Sequence, residues 1–128
     1  MALPTVFDNK NVSIVEGKRS VRLTANGTVV IPAGVLLRRL YFRNRTANAV
    51  TGGIRVGTAA AGTQVVTAQA VGANAVASVL ASIESYSTST QTLYIEAVTA
   101  WNSADVDVVV VYEEITTRTQ PNSNTVNA

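Results

Sequence analysis

Three carboxylates offer the most pointed chemistry in this sequence. Asp105 and Asp107 lie two apart, so on a strand they point the same way, and a hairpin of 92–99 with 106–113 brings Glu96 near them. Converging carboxylates are a ligand set for Ca²⁺ or the paired acids of a glycosidase. No Asp-x-Asp-x-Asp-Gly loop accompanies them, and one Trp and four Tyr are a poor stock of sugar platforms. They read better as an acidic edge that discourages stray strand pairing. The chain has no His and no Cys. That excludes a Ser-His-Asp triad, an imidazole base, a His- or Cys-built zinc site, a disulfide framework and a thiolate-held cluster. Gly52-Gly53, Gly57 and Gly62 are followed by no Gly-Lys-Ser/Thr and no GxGxxG, so they read as turn and strand-end glycines rather than a phosphate cradle. Lys10 and Lys18 show no sign of the burial that makes a nucleophilic amine. The expectation is a protein that is not an enzyme, with no catalytic residue, no cofactor and no bound metal.

Basic residues carry the stronger signal. On a strand, Arg39, Tyr41 and Arg43 share one face opposite Leu40 and Phe42. Arg45 follows in the loop, and Arg55 is expected on a paired strand beyond Gly52-Gly53. The candidate interface is therefore Arg39, Tyr41, Arg43, Arg45 and Arg55. Basic groups around one ring suit single-stranded nucleic acid; the planar guanidinium fork also suits carboxylates at a protein interface. One aromatic and a net charge of +2 favour the protein interface. Arg38 breaks the alternation by falling on the Leu36/Leu40/Phe42 face, which calls for a bulge or a partner carboxylate.

Charge is also lopsided along the chain. Residues 1–64 carry a net +7 and residues 65–128 a net −5. Either the two halves pair off inside one fold, or one face is steered towards an acidic partner or the acidic face of another copy.

The elements that must position these groups follow from composition. The chain has 128 residues, 47% apolar but only 5% aromatic and 14% charged, a Val/Ala/Thr stock that suits pleated, half-buried surfaces. Turn signals at Asn26-Gly27, Pro32-Ala33-Gly34, 44–48, Gly52-Gly53, 57–62, 71–74, 82–91 and Asn102-Ser103 separate β-branched runs at 21–23, 28–31, 35–42, 54–56, 63–70, 75–80, 92–99 and 106–113. The Ala-rich stretch 68–81 is read as strand and turn, since Val65, Val66 and Thr67 oppose a helix. The fold class is all-β: an antiparallel, jelly-roll-like β-sandwich of about eight short strands. Residues 1–19 read as an extended arm, 20–115 as the sandwich and 116–128 as a flexible polar tail. The last two strands are expected to pair as a hairpin, with Leu93 opposite Tyr112 and Ile95 opposite Val110. Val109 and Val111 leave the outer face of the last strand apolar, as in a central strand or one covered by a neighbouring subunit. No apolar run is long enough to span a bilayer, and no secretory leader is read, so the Asn-X-Ser/Thr matches at Asn11, Asn26 and Asn44 are taken as chance.

Several runs resemble one family. Ile31-Pro32-Ala33-Gly34 leading into 35–44, the stretch 47–58, the 71–75 turn, Leu93-Tyr94-Ile95 and the stretch 97–104 are similar to small virion proteins of tailed bacteriophages, of the head decoration or cement type and related fibre-base domains. The resemblance spans about residues 31–113. It implies a non-enzymatic structural virion protein on the capsid surface, made in the host cytoplasm, which stabilises the shell by binding between its subunits. The implied partners are further copies of itself, as a homotrimer, and the major capsid protein, with no membrane. A tail or fibre-base adaptor or knob, and a nucleic-acid-binding β module, are the alternative readings.

Overall fold

The turn-punctuated β-branched runs become eight strands, and the described residues contain no helix. The computed structural model describes residues 10–81 and 88–119, with side chains described over 14–81 and 88–114. The strands are β1 (Lys10–Leu23), β2 (Gly27–Ile31), β3 (Val35–Asn44), β4 (Ile54–Gly57), β5 (Val66–Gln69), β6 (Val76–Leu80), β7 (Gln91–Ala97) and β8 (Val106–Thr119). They form two four-stranded sheets, ordered β1-β8-β3-β6 and β2-β7-β4-β5, with every ladder antiparallel. Successive strands alternate between the sheets except β4 and β5, which are neighbours in the second. Two antiparallel sheets without a helix make the all-β sandwich class expected from the sequence.

Alternation decides what lies between the sheets. Val35, Leu37, Leu40 and Phe42 of β3 and Val106, Val108, Val110 and Tyr112 of β8 face Val29, Ile31, Ile54, Val56, Leu93 and Ile95 of the second sheet, all buried. Val50, Val65, Val71 and Ala104 close the ends of this core from the loops. Each such side chain contributes roughly 1.5–3 kcal/mol by leaving water.

The β7–β8 hairpin does not form. β7 lies between β2 and β4, whereas β8 lies between β1 and β3 in the other sheet. The turn falls where expected, with Asn102 and Ser103 at φ 54° and 62°, but it carries the chain across the sandwich. The inward parity of Leu93, Ile95, Val108, Val110 and Tyr112 holds, because period-two alternation reports which face is buried and not which strand lies alongside.

The β3 bulge re-aims Arg38. Leu37 pairs with Tyr112 and Arg39 with Val111, so the register shifts over Arg38. Arg38 is thereby turned outward to Glu113, 3.4 Å away, which meets both requirements read from the sequence. Leu36, placed by parity on the core face, is half-buried instead.

Two strands are longer than expected. β1 and β8 run fourteen residues each and pair along their whole length, from Lys10↔Thr119 to Leu23↔Val106. The arm boundary at 19/20 and the tail boundary at 115/116 therefore fall inside strands. β3 pairs with β8 only as far as Glu114, so β1 and β8 continue past the sheet as a two-stranded ribbon; Val15 in the last shared row and Ile14 just beyond it are both exposed. The remainder of the expected arm, 1–9, and of the tail, 120–128, lies outside the described residues.

Candidate interaction surface

The outer face of the β1-β8-β3-β6 sheet gathers the basic residues. Strand register sets them in rows: Lys18, Val111, Arg39 and Leu80; then Ser20, Val109, Tyr41 and Ser78; then Arg22, Asp107, Arg43 and Val76. Leu40 and Phe42 are fully buried beneath β3, while Tyr41, at 39% exposure, and Arg43 face solvent. A groove of about 530 Å³ runs between Glu16, Lys18, Arg38, Arg39 and Tyr41, with Val109 and Val111 as its floor. Val111 is buried although it does not belong to the inter-sheet core; the alkyl stems of its cross-strand neighbours Lys18 and Arg39 shelter it.

The five residues proposed as an interface do not form one surface. Arg39, Tyr41 and Arg43 do share a face. Arg45 sits at its end, with its Nε donating to Asp107 Oδ2 at 2.8 Å and its backbone N–H to the Asp105 carbonyl at 2.8 Å. Arg55 is on the opposite sheet: β4 pairs with β7 and β5, not with β3. There Arg55 lies cross-strand from Glu96 and donates to its Oε1 through Nε at 3.2 Å and Nη2 at 3.1 Å. The same oxygen accepts the Ala61 N–H at 2.8 Å.

The three carboxylates do not converge either. Glu96 is held in the second sheet by Arg55, while Asp107 lies on β8 of the other sheet and Asp105 just before that strand, each held by an arginine. Arg22 grips Asp105 through Nε at 2.8 Å and Nη2 at 2.6 Å. With Arg38–Glu113, all four described ion pairs join an arginine of the basic half to an acid of the acidic half. The lopsided charge is thus largely neutralised inside the fold. What remains over is basic on balance: among the described side chains Lys18, Arg19 and Arg43 have no ion pair and Arg39 makes only a 3.4 Å hydrogen bond to Ser78 Oγ, against Glu16 and Glu114 among the acids.

The bidentate hydrogen bond from Arg22 holds the Asp105 carboxyl below its usual range, with the guanidinium charge adding to it, and the same bond raises the Arg22 pKa. A carboxyl with a depressed native pKa contributes stability that is full above its unfolded pKa and fades as pH falls through the native value. Arg22→Gln should therefore unfold at lower urea than the parent at pH 7. The gap between their midpoints should close below about pH 4, the ordinary Asp range. A gap that persists into strong acid would mean that the Arg22 stem, not the pair, was responsible.

Sequence reasoning missed Lys18 and the valine floor as parts of the same site. β1 alternates Glu16, Lys18, Ser20 and Arg22 on one face, a usable signal, but only the β1–β8 register brings Lys18 to Val111.

No protein-family model matches the sequence, and no curated protein matches it. Among solved structures, a chain of the Cyanophage Pam1 capsid asymmetric unit is similar with a TM-score of 0.42 and 18% identity, over 89% of this chain and 92% of that one. The likeness is weak. In the described residues no helix is long and apolar enough to cross a membrane.

Proposed function

We propose that this protein is a structural virion subunit that decorates a phage capsid, bound on its surface between shell subunits, and that it acts by binding rather than by chemistry. The observation that carries the reading is the outer face of the β1-β8-β3-β6 sheet. Its apolar floor and surplus cations stand on a sandwich whose other charged groups are mostly paired, which is the make-up of a docking surface. The resemblance of 31–113 to phage decoration proteins supplies the kind of partner. Stabilisation would come from each subunit bridging neighbours, so that apolar burial and arginine–carboxylate pairs add to the cost of separating them. A homotrimer suits such a role, because a threefold subunit presents its docking face three times to a symmetric shell.

The test uses phage shells assembled without this protein. Added back, it should co-sediment with the shells and raise the temperature at which they open, and alone it should sediment as a trimer. Recovery with tails or fibre bases, and none on shells, would overturn the capsid reading in favour of an adaptor. A monomer in sedimentation at micromolar concentration would remove the trimer.

A further inference from the structure

Charge pairing across the fold tells what the docking face lacks. Of the described acidic side chains, Glu96, Asp105, Asp107 and Glu113 are each held by an arginine. Only Glu16 and Glu114 are not, and Glu16 already lines the groove. Among the described residues a second copy therefore offers Lys18, Arg39 and Arg43 only Glu16 and Glu114 as free carboxylates, which favours acids supplied by a different molecule.

The spacing on β3 narrows its form. Arg39, Tyr41 and Arg43 project from alternate positions of one strand, so successive groups stand roughly 6.6 Å apart and the two guanidinium bases roughly 13 Å apart. An extended polypeptide repeats on the same pitch. Beside the arginines the surface is apolar: Val109 and Val111 underneath, and Leu80 and Val76, at 63% and 67% exposure, on the β6 side. Successive bases of a single-stranded nucleic acid need a run of rings to stack on, and this face has Tyr41 alone.

We propose that the outer face over β8 and β3, from the groove at Arg39 and Tyr41 to Arg43 one row beyond it, receives an extended acidic segment of a partner protein, with Asp or Glu at two positions four residues apart and an apolar residue midway. The acids pair with Arg39 and Arg43, and the apolar residue lies on Tyr41 and the valine floor. The proposal rests on the capsid reading, in which the segment belongs to a shell subunit.

The experiment measures binding of the full chain to shells assembled without it, and separately to a fluorescent oligothymidine. Arg39→Glu, Arg43→Glu and Tyr41→Ala are compared with Arg19→Glu, which makes the same charge change at an unpaired arginine on the opposite face of β1. Arg39→Gln and Arg43→Gln stand in if the reversals unfold by circular dichroism. Reversing Arg39 or Arg43 should weaken shell binding at least about 30-fold, the range for one partner of a desolvated pair, while Arg19→Glu binds like the parent. If the parent binds shells and the Arg39 and Arg43 variants bind equally well, the groove proposal falls and the capsid reading stands. If the parent does not bind shells, both fall. Tight oligothymidine binding lost with the same arginines would overturn the protein segment in favour of nucleic acid.

Discussion

Asn44→Ala should lower the stability of the isolated domain by about 3–5 kcal/mol, the scale on which several buried groups lose their partners together. Asn44 ends β3 and is the one buried polar side chain among the described residues, at 3% exposure. Its amide is fully used. Nδ2 donates to the carbonyls of Asn48 at 2.7 Å and Gly72 at 3.1 Å, and Oδ1 accepts from the Thr46 N–H at 3.0 Å and the Thr46 hydroxyl at 2.9 Å. Alanine removes the partner of two carbonyls and an N–H at part-buried positions. It also unties the loop after β3 from the β5–β6 connection. For a domain of this size the loss corresponds to roughly 10–20 °C in midpoint temperature, readable by thermal or urea unfolding. A shift below about 1 kcal/mol would show that water replaces the amide.

Gly53→Ala should cost about 3 kcal/mol or more, and Gly52→Ala distinctly less. Both residues sit at positive φ, 81° and 84°, where an added Cβ is itself unfavourable by about 1–2 kcal/mol. The difference lies in what that Cβ would meet. At Gly53 it would stand 2.6 Å from the Gln69 carbonyl oxygen and 2.9 Å from its carbon, backbone of the neighbouring strand β5. At Gly52 the nearest atom is the Thr99 hydroxyl at 2.7 Å, which can rotate away. Gly53 also donates its N–H to Val50 and accepts from Val98, so it cannot shift without breaking the lead-in to β4. Parallel urea melts of the two variants check the ranking; equal losses would mean that the positive φ alone decides.

The faces of the sandwich were legible because their cause is local. The alternation in β3, β7 and β8 marks which side chains are buried wherever the strands go. Arg39, Tyr41 and Arg43 were legible for the same reason, being three positions of one strand. Strand partnership was not, since it is settled by corners such as Asn102-Ser103, whose sequence suits a hairpin and a sheet crossing alike. Hence Glu96 was sought beside Asp105 and Asp107 and found with Arg55 in the other sheet. Arg38 shows the intermediate case: its broken parity announced an irregularity, and the β3 register supplied the bulge and the Glu113 partner together. Lys18, Val109 and Val111 join the groove only through pairings between opposite ends of the sequence, which no short window contains.

Those end-to-end pairings also govern how the chain reaches its structure. No residue of β1 meets its β8 partner within 80 positions along the chain, whereas β4 and β5 pair across one short loop. High contact order of this kind belongs to domains that fold in milliseconds to seconds. On a ribosome the second sheet can begin from its β4–β5 pair while β1, although made first, waits with both edges open until β8 emerges. During that interval its fourteen residues are a template for the same strand of another nascent chain. The charges at Glu16, Lys18, Arg19 and Arg22 oppose that pairing and keep the waiting strand apart from its neighbours.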